Sequence, residues 1–160
     1  MALSYVGFRF RRTLSGGSPA KAELPLASGT YYDGNVLKAN TSGSAALVTA
    51  GTTVASYVMI GNATKATVDA SPATKYSMYI VNEDNVFEAR MLVSVAPQTK
   101  VTDLAGLAIA STYNHRLMGT VGMFRVIGYH PDEALTAHTN GRFFVTGARS
   151  QYAAASRTTE

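Results

Sequence analysis

Two imidazoles and two carboxylates fall within nine residues of this chain, as His130, Asp132, Glu133 and His138, and these are the side chains best equipped to hold a metal. The spacing matches no usual ligand pattern such as His-x-x-x-His on a helix, and Pro131 places the group on a loop. The expectation is a solvated turn and no metal site. The third histidine, His115, is isolated. Serines and aspartates are present without a Gly-x-Ser-x-Gly elbow, and Gly16-Gly17 and Gly43-Ser44 lack the lysine and helix start of a phosphate loop. No Gly-x-Gly-x-x-Gly occurs either. Tyr31, Tyr32, Tyr57, Tyr76 and Tyr79 are numerous enough for a carbohydrate platform, but in a Trp-free β protein tyrosines more often pack across strands. No catalytic, metal-binding or cofactor-binding residue is expected, and the chain does not read as an enzyme.

The residues singled out for binding lie at the other end of the chain. Val6, Phe8 and Phe10 alternate with Gly7, Arg9 and Arg11, and Arg12 follows. An extended segment with that alternation has one apolar face and one cationic face. The formal charge is +4, and residues 1–12 hold three arginines and no acid, leaving eleven basic and ten acidic residues after them. The body therefore reads as nearly neutral, with the charge concentrated in a basic arm. The reading adopted is a docking arm in which Phe8 and Phe10 fill a groove on another protein while Arg9, Arg11 and Arg12 meet carboxylates. On that reading, deleting residues 1–12 leaves the body folded. The alternative is that the segment is the first strand of the domain, with solvated arginines opposite the core. Nucleic-acid binding is the third reading, disfavoured because no further basic cluster extends the patch.

The elements that must carry these residues follow from composition and periodicity. A chain of 160 residues is ordinary for one domain with its own core. Hydrophobic residues make up 46% and charged residues only 15%, with frequent Ala, Val, Thr and Gly, which favours strands over helices. No cysteine is present, so stability must come from packing or assembly. Arginines interrupt the apolar part of the opening residues, and no window approaches ~18 apolar residues, which argues against a signal peptide or a membrane span. Residues 13–30, with two prolines and three glycines, read as a linker.

Residues 75–91 give the clearest two-strand signal, a hairpin turned at Asn82-Glu83-Asp84-Asn85 with Phe87 in the core. Tyr31-Tyr32-Asp33-Gly34-Asn35-Val36 gives a second hairpin through its Asp-Gly turn. Further strands are expected at 45–48, 56–60, 92–96, 123–129 and 142–146, and a short turn then a strand at 102–110. Strands at this spacing specify an all-β fold, a small antiparallel β-barrel or sandwich (β-tulip-like) with an extended N-terminal arm. The division is an arm and linker over 1–28, a β-barrel domain over 29–148 and a C-terminal tail over 149–160.

The order of short motifs resembles that of the small β-barrel decoration, or cement, proteins on the heads of tailed bacteriophages. The resemblance rests on Gly29-Thr30-Tyr31-Tyr32-Asp33-Gly34-Asn35-Val36, Ile60-Gly61-Asn62-Ala63, Val86-Phe87-Glu88-Ala89-Arg90, Thr102-Asp103-Leu104-Ala105-Gly106, and Phe124-Arg125-Val126-Ile127-Gly128-Tyr129 followed by Asn140-Gly141-Arg142-Phe143-Phe144-Val145. It departs from the family pattern at Ala105 and in the basic arm. What the resemblance implies is a structural virion protein, made in the host cytoplasm and seated on the outer capsid surface where capsomers meet. Its implied partners are the major capsid protein and itself, as a homotrimer, with no nucleic acid and no membrane. A phage tail or adaptor component and a small carbohydrate-binding module are the alternatives.

Overall fold

The structure is a computed structural model and describes residues 7–39, 43–48, 58–61, 65–68, 75–111, 114–119 and 122–148. The strands are β1 (Arg9–Thr13), β2 (Lys21–Leu24), β3 (Gly29–Tyr32), β4 (Val36–Ala39), β5 (Ala45–Leu47), β6 (Val58–Gly61), β7 (Lys65–Val68), β8 (Tyr76–Ile80), β9 (Asn85–Arg90), β10 (Leu104–Ser111), β11 (Asn114–Met118), β12 (Phe124–Tyr129) and β13 (Arg142–Gly147). A 3-10 turn at Pro97–Thr99 is the one helical element among the described residues. Every strand pair is antiparallel, so the expected all-β class of barrel or sandwich holds.

A six-stranded sheet runs β1-β9-β13-β12-β10-β11, a five-stranded sheet runs β2-β8-β6-β4-β5, and β3 pairs with β7. The larger sheet curls far enough for its last strand to return to β9. Met91 makes a parallel bridge with Leu117, and the Leu92 N–H donates to the Leu117 carbonyl at 2.8 Å. The five-stranded sheet is apolar on both faces, because successive side chains of a strand point opposite ways. Val36 and Ile60 enter the main core with Phe87, Phe124, Phe143 and Leu117 of the larger sheet. Their neighbours Leu37 and Met59 enter a second core with Leu26, Tyr31 and Met78.

Both expected hairpins are corners between sheets. β8 pairs with β2 and β6 in one sheet, while β9 pairs with β1 and β13 in the other. The turn residues named from the sequence make the corner. The Asn82 side-chain oxygen accepts from the N–H groups of Asp84 (3.0 Å) and Asn85 (2.7 Å), and the buried Asn85 amide donates to the carbonyls of Ala20 (3.0 Å) and Ile80 (2.8 Å). Val81 and Val86 are buried on either side, so the chain changes sheet without leaving the core. Likewise β3 pairs with β7, whereas β4 joins β5 and β6. Gly34, at φ +91°, makes that corner possible: a Cβ there would lie 2.5 Å from the Phe8 carbonyl oxygen.

The division at residue 29 is corrected. β1 is an edge strand of the six-stranded sheet and β2 an edge strand of the five-stranded one, so residues 8–28 belong to the body. The segment between them is tied to the corner through Asp84, whose carbonyl accepts from the Leu14 N–H and whose carboxylate accepts from the Ser15 N–H (2.8 Å) and hydroxyl (2.9 Å). The strand expected at 92–96 reduces to an isolated bridge between Val95 and His138. β7 and β11 went unread in the sequence, and the tail at 149–160 lies outside the described residues.

Candidate functional site

The apolar half of the expected docking arm is occupied by its own chain. Phe8 is 2% exposed and its ring lies 4.8 Å from that of Phe124. Phe10 stacks on Tyr79 at 4.3 Å and meets the edge of Phe87 at 6.0 Å. Burying a phenylalanine is worth ~1.5–3 kcal/mol, so a segment carrying two of them folds back onto the nearest apolar surface. The alternative reading, a first strand with solvated arginines, is the geometry found. Arg9, Arg11 and Arg12 are exposed, with the Arg11 Nε 3.7 Å from a Glu88 carboxylate oxygen. Val6 lies outside the described residues.

The tyrosines form no exposed platform among the described residues. Tyr31 is buried with its hydroxyl donating to the Ala27 carbonyl at 2.6 Å, and Tyr79 is covered by Phe10. Tyr57 lies outside the described residues. The space lined by Tyr31, Tyr32, Leu37, Tyr76 and Met78 is about 10 Å³, room for one water.

The six strands of the larger sheet carry seven arginines, no lysine and a single acid, Glu88. Strand alternation gathers most of that charge on the outer face. Arg9 pairs with Glu88 and Glu88 with Phe144, while Arg90 stands opposite Arg142. Arg116 sits between His115 and Leu117, which are both fully buried, and so points outward; Arg125 is exposed between buried Phe124 and Val126. Arginines that looked scattered along a neutral body thus share one surface with the three of β1. The sequence signal is a lone arginine between two inward residues, apolar in Ala89-Arg90-Met91 and Phe124-Arg125-Val126 and a histidine and a leucine in His115-Arg116-Leu117.

One edge of this face meets the His130 to His138 loop, which is built rather than merely solvated. The Glu133 side chain, 8% exposed, accepts from Arg142 Nε at 2.5 Å and faces His138 Nε2 at 2.7 Å. His138 Nδ1 sits 2.7 Å from the Thr136 carbonyl. Burial pushes the Glu133 carboxyl upward, but the hydrogen bonds from His138 and Arg142 and the Arg142 charge outweigh it, leaving it below its usual value. His138 is raised, first by its bond to the Thr136 carbonyl and then by Glu133. His130 and Asp132 stand apart from this cluster, 3.8 Å from each other, and no metal-binding group of three is found among the described residues.

Asn140 joins the loop to the sheet. Its side-chain oxygen accepts from Arg116 Nη1 at 2.6 Å and its carbonyl from Arg90 Nη1 at 3.0 Å. Its N–H bonds the Met91 carbonyl at 3.0 Å, and Gly141 returns a carbonyl to the Met91 N–H at 2.9 Å. Fixed guanidinium donors of this kind are suited to binding carboxylates or phosphates through paired hydrogen bonds.

Comparison with protein-family models, curated proteins and solved structures finds no match to this chain.

Proposed function

We propose that this chain is a structural virion protein that decorates and stabilises a phage capsid, binding the major capsid protein at capsomer junctions through the outer face of the six-stranded sheet. The motif order supports the virion reading, and the resemblance adds the homotrimer. The observation that carries the surface is the segregation of arginines on that face, against one acid in its strands. Complementary charge steers association and fixes orientation. A specific contact needs roughly 800 Å² per partner, and repetition over a shell multiplies weak contacts.

The test is rebinding to capsids of the cognate phage from which the protein has been stripped. The expected result is saturation at many copies spread over the shell, with retention falling as salt rises. Binding confined to a few copies at the tail would assign it to the tail or adaptor class instead. Binding to a glycan array without binding to capsids would make it a carbohydrate module.

A further inference from the structure

On the outer face of the six-stranded sheet the chain holds guanidinium groups in place without neutralising them: Arg125 singly, by the Thr102 carbonyl at 2.9 Å, and Arg90 and Arg116 together, by one residue. Arg90 and Arg142 are direct cross-strand partners, an arrangement of like charges that is destabilising by itself. Glu133 compensates Arg142. Arg90 and Arg116 have no carboxylate within 4 Å among the described residues, yet both are held by Asn140. Asn140 reaches them from the left-handed region at φ +60°, a conformation that asparagine tolerates better than other non-glycine residues. Arg116 spends Nη1 on this bond, and its Nε–H is buried with no acceptor among the described residues. That buried Nε–H is out of reach of an incoming group, so the donors left for a partner are the outer Nη–H groups of the two arginines.

We propose that Arg90 and Arg116, held by Asn140, form a receptor for a carboxylate side chain on an acidic segment of a partner protein. The proposal rests on the reading of this sheet face as a docking surface and names the chemistry received there. A carboxylate fits because Arg142, the cross-strand partner of Arg90, already holds one, Glu133. A nucleic-acid backbone fits less well, since it needs a run of cations, and Glu88, Asp132 and Glu133 interrupt this one.

The experiment follows the arginine Nε–H signals by NMR while a hexaglutamate peptide, inorganic phosphate or a single-stranded oligonucleotide is titrated into the full chain. The expected result is saturable shifts at Arg90 and Arg116 with the peptide, and binding weakened about tenfold or more in R90Q/R116Q. An unchanged circular dichroism spectrum and melting temperature establish that the variant is folded. Equal binding of phosphate and peptide overturns the carboxylate assignment. So does oligonucleotide binding tighter than the peptide, or a shift spread evenly over Arg9, Arg11 and Arg125. Capsid retention separates the two claims. A wild-type chain that ignores capsids refutes the virion reading while the titration still decides this one. Wild-type retention matched by the double variant refutes the receptor alone.

Discussion

At the residue scale, His115 shows how a polar group serves this core. It is fully buried on β11, and its Nδ1 accepts from the Val36 N–H of β4 at 2.8 Å, so one imidazole ties the two sheets together. Accepting at Nδ1 requires the neutral ring with its proton on Nε2. Replacement by leucine keeps the volume but strands the Val36 N–H, costing ~1–3 kcal/mol in urea unfolding. Replacement by asparagine, which offers an oxygen near the same place, is expected to cost less; equal losses would show that packing alone matters. Glycines allow an equally local test. Gly34→Ala forces a Cβ to 2.5 Å from the Phe8 carbonyl oxygen at φ +91°, and should cost more than ~2 kcal/mol. Gly16→Ala has φ +81° but open space around it, and should cost only the backbone strain of ~1–2 kcal/mol.

The Glu133 cluster gives a pH dependence with a definite sign. The Glu133 carboxyl is lowered, so its contribution is present above the usual carboxylate range and is lost as pH falls through its folded value. His138 is raised, so its contribution is present below its ordinary value of 6.5 and fades as pH climbs through the folded value. The stability gap between the wild type and Glu133→Gln should therefore be widest between those limits, as read from melting temperatures across a pH series. A gap independent of pH would mean that the carboxylate is not held by these partners.

At the element scale, most strands were legible and several of their pairings were not. Alternation around Met78, Phe87, Val126 and Val145 identifies β8, β9, β12 and β13, because inward positions repeat every second residue. The Asn82 to Asn85 and Asp33-Gly34 turns were read as hairpins, since turn chemistry is local. It specifies a change of direction but not the strand that each flank will meet. Long-range contacts decided that, and Val36-Leu37 and Met59-Ile60, buried in adjacent positions, were the sign that the sheet between the cores is covered on both sides. The same limit left β1 as the alternative to a docking arm and hid β2 among linker-like residues, and with them the candidate site, whose arginines come together only when β9, β11 and β13 are neighbours. Contrary to a removable arm, deleting residues 1–12 should unfold or strongly destabilise the body. Phe8→Ala should cost ~3–5 kcal/mol. Arg9→Gln and Arg11→Gln should change stability by less than ~0.5 kcal/mol, since both side chains lie at the surface.

At the scale of the whole molecule, a net charge of +4 conceals a division of labour. The apolar residues of the larger sheet close the main core, while seven arginines against one glutamate among its strand residues give the opposite side a net positive charge. Self-repulsion on one face is a cost that an acidic partner would relieve. Edge strand β1 is itself guarded by its arginines and by the bulge between Phe10 and Arg12, which disfavours strand addition there and leaves the face as the surface to be covered. The most direct measurement is a cryo-EM reconstruction of capsids carrying the protein. The expected result is the outer face of β1, β9 and β13 against the shell, with Arg90 and Arg116 within hydrogen-bonding distance of shell carboxylates. A bound protein with that face turned to solvent would contradict it.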